Sequence, residues 1–314
     1  MRKKTKRMDM RKLKKRLFDR VAIIGLGLMG ASLGLALKKG NLAKTVTGFA
    51  RRPVTRKMAL KRKIVDIACD RIEDAVKGAD LAVICAPVGI IPALVKQCLP
   101  FVGDKTVITD VGSSKAGIIS AIEKPSKTGR AVNFVGSHPI AGSEHHGLEA
   151  ARADLYRGAV VALTPTPRVS KKNLRVVSRF WRALGAEIIV LSPKEHDRII
   201  ARTSHLPHII AALLAACVGR KDARRYGKLC GSGFRDTTRV AEGDPELWRD
   251  ILGNNASFLR KELKTFAGEL NRLTVVLKKG NGRQIEKRLE RGRECRRRLL
   301  VKKGTKGQRD KGTK

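Results

Sequence analysis

The sequence predicts an α/β fold, a Rossmann-type doubly wound parallel sheet followed by an all-helical C-terminal domain. Three observations carry this reading. Short apolar runs alternate with helix-period segments through the first half of the chain, a glycine-rich turn follows the first run, and strand-like runs stop after Pro193. A length of 314 residues suits one large core or two ordinary ones, so two domains are expected. The boundaries expected are a basic N-terminal extension over 1–19, a dinucleotide-binding domain over 20–193, a helical domain over 194–301 and a basic tail over 302–314.

The first element is the apolar strand Val21–Ile24, followed by a glycine turn and a helix-period stretch to Gly40. "TVTGFA" (45–50) reads as a second strand, and "ADLAVICAP" (79–87) and "KTVITDVGS" (105–113) as further short strands ending in turn or polar residues. In "RAVNFVGSH" the apolar pattern makes Ala131–Val135 a buried strand, and His138 falls in the loop behind it, turning at Pro139 and Gly142. "GAVVALTP" (158–165) and "AEIIVLSP" (186–193) complete the series. From Lys194 to about Val301 the pattern is helical. Its most apolar part is "HLPHIIAALLAACV", in which Ile209–Leu214 reads as core or a subunit seam. The glycines of "GSGFRD" interrupt it, and Asn281 is placed to cap a last helix whose Ile285, Leu289 and Leu299 form a rough apolar stripe. Residues 302–314 contain Gly, Lys and Thr with almost nothing apolar, a composition that does not order.

Aromatic residues make up 4% of the chain, so Leu, Ile, Val and Ala must fill the core. Six cysteines are scattered with no CxxC pair, which argues against a disulfide framework or structural zinc and for a reducing, cytoplasmic compartment. No uninterrupted apolar run reaches the ~18 residues of a membrane span, and no apolar segment behind the basic N-terminus makes it a secretory signal. The net charge is +40, with +9 in residues 1–20 and +12 in residues 278–314. Such an excess attracts nucleic acid and anionic small molecules without sequence preference. A solvated basic surface is the plainer reading, because no aromatics interleave with the charges in the tails.

Gly25-Leu26-Gly27-Leu28-Met29-Gly30 fits G-x-G-x-x-G, and its strand-before, helix-after context makes it a dinucleotide loop. Gly25 permits the tight turn, Gly27 the approach of a pyrophosphate and Gly30 close helix–strand packing; Leu28 and Met29 start the helix whose free N–H groups face the phosphates. At the end of the second strand a carboxylate would hold the ribose 2′-hydroxyl of NAD. The chain has Ala50, Arg51, Arg52 and Pro53 there instead. Two guanidinium groups suit a 2′-phosphate, so NADP is the expected cofactor. Arginines also stack on adenine, which leaves NAD as the alternative.

Residues at the carboxyl ends of the strands should carry the chemistry. Ser113 ends the fourth of these runs and His138 follows the fifth. The motifs "TDVGSSK", "VGSHPIAGSE", "EHDRIIARTSHLPHIIA" and "GFRDTTRVA" resemble, in order and spacing from about Arg20 to about Leu300, those of the prephenate/arogenate dehydrogenases of tyrosine biosynthesis. That resemblance implies a homodimer built through the helical domain and a reaction that oxidatively decarboxylates prephenate to 4-hydroxyphenylpyruvate. It implies that His138 is the catalytic histidine and that Ser113 bonds both that histidine and the substrate hydroxyl. Arg239 matches the arginine that grips the ring carboxylate. His205 and His208 belong to the substrate pocket, and Ser143, Glu144 and Asp197 match polar positions at its mouth. His145 and His146 receive no role.

The chemistry explains these residue types independently. Oxidation of the ring carbon C4 gives a ketone conjugated to the carbon bearing the carboxylate, a vinylogous β-keto acid, so CO2 leaves and the ring becomes aromatic. An imidazole suits removal of the hydroxyl proton, an arginine fork suits a carboxylate, and no metal is needed. Other readings remain at this stage. His138 also fits a packed loop histidine or a metal ligand, and His205/His208 a helix-start pair or, less well because of Pro207, zinc. Arg239 also fits an ion pair with Asp236. Arogenate is the alternative substrate. More remote are another hydroxyacid or imino-acid reductase, and a nucleic-acid-binding protein on this fold.

Overall fold

In a computed structural model the described residues are 16–124, 132–142, 147–220 and 222–300. The chain divides into two compact units, Met1–Leu259 and Arg260–Lys314. The first holds an eight-stranded sheet of order β3-β2-β1-β4-β5-β6-β7-β8. Its strands are β1 Phe18–Ile24, β2 Ala43–Phe49, β3 Ile67–Cys69, β4 Leu81–Ile84, β5 Val107–Asp110, β6 Phe134–Pro139, β7 Val160–Thr164 and β8 Glu187–Val190. All pairings are parallel except β6 with β7. The order reverses between β1 and β4, which opens a crevice outside the carboxyl ends of those strands.

Two strands differ from the sequence reading. β3 is too short for an alternation signal and begins at Ile67, 45% exposed, on the sheet edge. β6 is the more consequential. Its apolar run is spent at Val135, but antiparallel pairing of Gly136, Ser137, His138 and Pro139 with Thr164, Leu163, Ala162 and Val161 continues the strand. His138 is therefore held in a ladder, not in the loop expected from sequence. A polar stretch can stay in a sheet when its backbone groups find partners, and periodicity does not see those partners.

The helices of this unit are α1 Leu28–Lys39, α2 Pro53–Lys61, α3 Ile72–Val76, α4 Ile91–Cys98, α5 Ala116–Glu123, α6 Lys171–Ala183, α7 Pro193–Ile200, α8 Leu206–Gly219, α9 Ala223–Gly227, α10 Ser232–Thr238 and α11 Pro245–Asn254. Two apolar clusters lie on opposite faces of the sheet. One is built on Ile23, Leu33, Leu37, Tyr156, Phe180 and Trp181, the other on Ile24, Ile84, Ile91 and Ile118. The few aromatics are concentrated: Trp181 packs edge-on to both Tyr156 and Phe180, and its indole N–H donates to Ser137 Oγ at 3.1 Å.

α7 and α8 form one helix through a π turn at Ala201–His205. Pro207 has no N–H to offer the carbonyl of Thr203, and the helix widens where that bond is missing. By length and composition this helix, Pro193–Gly219, is the one among the described residues that could cross a membrane, with a mean hydropathy of 1.4 over an 18-residue window. Its buried side, however, carries His196, Asp197, His205 and His208, while Leu213 and Leu214 are exposed.

The second unit is a helical hairpin of the greater part of α12 (Ala256–Lys278) and α13 (Gly282–Leu300). As expected, Asn281 caps the last helix, its side-chain oxygen accepting from the Gln284 amide at 3.0 Å. Arg288 reaches Glu269 at 3.1 Å across the hairpin. The expected basic extension and tail fall almost wholly outside the described residues.

The glycine turn yields a stability prediction. Gly25 has φ +105°, and a Cβ on Gly30 would overlap the Gly25 carbonyl, whereas one on Gly27 meets nothing within 4 Å. Gly30→Ala should lower the unfolding free energy by about 3 kcal/mol in urea titration, as overpacking against backbone does. Gly27→Ala should change it by less than about 0.5 kcal/mol. Equal effects of the two would show that the turn is not packed as described.

Candidate active site

A cleft of about 740 Å³ opens at the β1/β4 reversal, lined among others by Gly25, Leu26, Gly27, Arg51, Arg52 and Cys85. The glycines follow β1, with Gly30 buried against the turn and Gly27 exposed at the N-cap of α1. An extended ligand can thus approach backbone at Gly27, and the first-turn N–H groups of Leu28 and Met29 lie at a helix N-terminus where anions are favoured. This cradle fits a dinucleotide. Arg51 and Arg52 are exposed on its rim, in the loop between β2 and α2. Arg56 braces that loop, donating to the carbonyls of Ala50 at 2.8 Å and Arg51 at 2.9 Å. On the facing side Leu148 and Glu149 line the cleft, and Arg62 holds their carbonyls at 2.6 and 3.1 Å.

A buried polar network lies near the carboxyl ends of β5 and β6. Asp110 ends β5. Its Oδ1 accepts from the Ser137 amide at 3.0 Å, and its Oδ2 from the Gly112 amide at 2.9 Å and from Lys115 Nζ. The ammonium of Lys115 also donates to the Ser137 carbonyl at 2.9 Å, and neither Lys115 nor Asp110 is exposed at all. Burial pushes the Lys115 ammonium below its ordinary range, opposed by the Asp110 carboxylate. His138 follows Ser137 in β6 and is 9% exposed. Its Nδ1 lies 2.9 Å from His196 Nε2, and His196 Nδ1 lies 2.8 Å from Asp197 Oδ1. Burial first, then His196 and the Lys115 charge, hold His138 well below the usual imidazole range, so the ring is neutral at physiological pH.

Asp197 ties this network to the helices. The amides of Lys115 and Ala116, at the start of α5, donate to its two carboxylate oxygens at 2.7 and 2.9 Å. Its carbonyl accepts from Asn255 Nδ2 at 2.8 Å, and the same Asn255 nitrogen lies 3.1 Å from His205 Nδ1. Because Nδ2 must donate to a carbonyl, it also donates to His205, which leaves the His205 proton on Nε2. That buried Nε2–H has no partner among the described residues, and burial pushes His205 down to about 4. His208 stacks on Trp248 with ring centroids 3.4 Å apart. A Cβ on Gly243 would press on both rings, so the Arg239–Glu242 turn just before it packs close to them.

The structure therefore brings His138 into one network with Lys115, His196, Asp197 and His205. Ser113 is half-buried in the loop that joins Asp110 to Lys115. Arg239 is exposed, and no ion pair joins it to Asp236 among the described residues. Ser143 and Glu144 lie outside the described residues, as do His145 and His146. No cluster of metal-ligating residues occurs among the described ones. Sequence reading passed over His196 and the Lys115–Asp110 pair, although "EHD" and "TDVGSSK" contain them. The signal available was the cost of burying charge: a Lys and an Asp set five apart at the mouth of an apolar strand. An anion-binding cradle, together with a buried neutral imidazole and the unpartnered His205 Nε2–H, can hold a dinucleotide and take a proton from a bound hydroxyl.

Comparison with known proteins agrees with this chemistry. Residues 33–190 match the family model of the prephenate dehydrogenase nucleotide-binding domain, and residues 192–291 that of the prephenate dehydrogenase dimerization domain. A cyclohexadienyl dehydrogenase of Zymomonas mobilis is 33% identical over 270 residues, covering 84% of this chain and 90% of that protein. The crystal structure of the Aquifex aeolicus prephenate dehydrogenase, in complex with hydroxyphenyl propionate and NAD+, superposes with a TM-score of 0.83 at 30% identity, covering 90% of this chain and 98% of that one. That of Synechocystis arogenate dehydrogenase gives 0.75 at 29% identity, covering 90% and 100%.

The buried ion pair supplies the next test. Lys115→Met leaves Asp110 charged and without its counter-ion, and should cost about 3–5 kcal/mol in chemical denaturation. Adding Asp110→Asn to that variant should recover part of the loss. If Lys115→Met alone costs under about 1 kcal/mol, water or another cation reaches Asp110.

Proposed function

The chain belongs to the prephenate dehydrogenase family, and on that premise we propose that it oxidatively decarboxylates prephenate to 4-hydroxyphenylpyruvate, a step of tyrosine biosynthesis. The observation that carries this reading is His138, a buried imidazole kept neutral and fixed in orientation. When bound in the glycine cradle, NAD(P)+ supplies the hydride acceptor. His138 takes the proton of the C4 hydroxyl as the ketone forms. Ser113 orients that hydroxyl, and Arg239 holds the ring carboxylate until it leaves as CO2. His205 and His208 lie in the substrate pocket, where the orphaned His205 Nε2–H is a donor for the anionic substrate. Ser143 and Glu144, outside the described residues, are proposed as substrate-binding on the motif resemblance alone. Arogenate is the second reading, favoured by the likeness to the Synechocystis enzyme. The match of residues 192–291 to a dimerization domain, together with the exposed Leu213 and Leu214, supports a homodimer. Six free cysteines fit a cytoplasmic setting.

For the cofactor, the proposal is NADP over NAD. The support is Arg51 and Arg52 on the rim of the cleft, with no carboxylate at the end of β2. kcat/KM should favour NADP by about tenfold or more, the worth of one charged contact at ~1.4 kcal/mol. Replacing both arginines by Ala should abolish the preference and leave NAD turnover nearly intact. Equal or better use of NAD by the unaltered enzyme would sink the idea. Assay of prephenate and arogenate in the same experiment decides the substrate.

For catalysis, His138→Asn should lower kcat by about 10²–10⁴ with KM little changed, and Arg239→Gln should mainly raise KM. The pH profile follows from the depressed His138. The base is active when neutral, so kcat/KM should stay level down through pH ~6.5 and fall only below that, as the ring protonates. Near-normal kcat in the His138 variant would remove its role as the base.

A further inference from the structure

An imidazole can act as a base only through the nitrogen that lacks a proton, and the ring of His138 offers two. Which one is free follows from the hydrogen bonds behind it. The Asp197 carboxylate accepts a backbone N–H on each oxygen, from Lys115 at 2.7 Å and Ala116 at 2.9 Å, so it is an acceptor throughout. The hydrogen in its 2.8 Å contact with His196 therefore sits on His196 Nδ1. A neutral His196 then has its lone pair on Nε2. The 2.9 Å contact between His196 Nε2 and His138 Nδ1 must then be closed by a hydrogen on His138 Nδ1. His196 and Asp197 are each 1% exposed and His138 9%, with the histidine rings 5.1 Å apart at 71°. The two rings bond directly, in a region from which solvent is largely excluded.

We propose that the chain Asp197–His196–His138 locks His138 as the Nδ1–H tautomer, leaving Nε2 as the nitrogen that takes the substrate proton. His196 and Asp197 are positioning residues, since neither touches substrate. As Nε2 gains its proton, His138 becomes a cation, and its Nδ1–H bond to His196 strengthens. Through that bond and the His196–Asp197 bond the polarisation reaches the Asp197 carboxylate, so no proton need leave the relay. The inference rests on His138 being the base of the proposed reaction, but its central claim concerns the resting enzyme and is tested without turnover.

The experiment is ¹⁵N NMR of the full-length protein labelled at histidine, with His138 assigned by the spectrum of His138→Asn. The Nδ1–H and Nε2–H tautomers place the protonated nitrogen at opposite ring positions and are told apart by their couplings to the ring carbon protons. His138 is expected as Nδ1–H. Finding it as Nε2–H, or as an even mixture, overturns the proposal whatever the enzyme's activity. In His196→Phe, which keeps an aromatic ring in the space but offers no acceptor, the His138 signal should become a mixture of tautomers. kcat should fall by about 10²-fold or more with KM changed less than about threefold, the pattern of a wrongly set tautomer in other relays. A kcat loss below about tenfold in a folded His196→Phe also overturns it. Loss of activity in His138→Asn together with a wild-type Nε2–H signal would leave His138 as the base and remove only the relay.

Discussion

The carboxylate of Asp197 is the constraint on which the active-site architecture depends. It lies on a helix, α7, yet two of its three carboxylate bonds are to the opening amides of another helix, α5, which packs against the sheet. The first-turn N–H groups of a helix have no partner of their own, and a carboxylate there satisfies them and the local dipole together. The third bond is to His196, and the Asp197 carbonyl receives Asn255 at the end of α11. One residue thus fixes the distance between α5, α7 and α11, and with it the placing of His138, His196 and His205. Removing the carboxylate would leave two buried amides and one imidazole N–H without acceptors, a larger cost than that of any apolar contact in the neighbourhood.

The cofactor side of the site rests on the opposite kind of constraint, the absence of atoms. Gly30 leaves no room for a Cβ because α1 closes on the Gly25 carbonyl and Ile23, Gly25 leaves none because the Cys85 carbonyl after β4 lies against it, and Gly27 has the open space a pyrophosphate needs. The two sides are tied together by backbone carbonyls. Arg62, just past the end of α2, grips those of Leu148 and Glu149, and Tyr156 reaches the Met29 carbonyl at 2.7 Å. The segment that follows the HPIAGSE motif is therefore anchored both to the helix behind Arg51 and Arg52 and to the glycine loop. A shift of the cofactor loop would be felt at Leu148, Glu149 and Tyr156 through bonds that involve no substrate.

Much of this was legible in the sequence, for identifiable reasons. The β1–turn–α1 unit announces itself because glycine is demanded by backbone geometry at Gly25 and Gly30. The parallel strands are apolar on both faces and read as continuous runs. The helical half and the Asn281 cap follow from periodicity and local hydrogen bonding. What was hidden depends on partners distant in sequence. β6 extends to Pro139 because β7 is there to pair with it. His196 looks like an ordinary polar residue of an amphipathic helix until β6 brings His138 to it from 58 positions away. The Lys115–Asp110 pair belongs to a motif visible in sequence, but its complete burial is a tertiary fact. The motif resemblance proposed His138, Ser113 and Arg239 as site residues, and did not say what orients them.

The charges divide between a surface that is strongly basic and a site whose ionisation is narrowly arranged. Net charge of +40 favours the arrival of anionic cofactor and substrate, but at physiological salt charges beyond ~8–10 Å are screened, so the surface cannot set the chemistry. Inside, Lys115 is matched by Asp110, and Asp197 remains as a negative charge two bonded rings away from the His138 nitrogen that would receive a proton. Before reaction the burial of the ring, with the Lys115 cation adding to it, keeps His138 neutral. On the proposed role of His138 as the base, the cation formed on it would meet the dipole of His196 backed by the Asp197 carboxylate, already oriented and needing no solvent to reorganise. A basic protein with this arrangement can draw in its anions by long-range attraction while its base responds only to the groups bonded behind it. The tails and the active site then answer to different forces, and salt should weaken the first far more than the second.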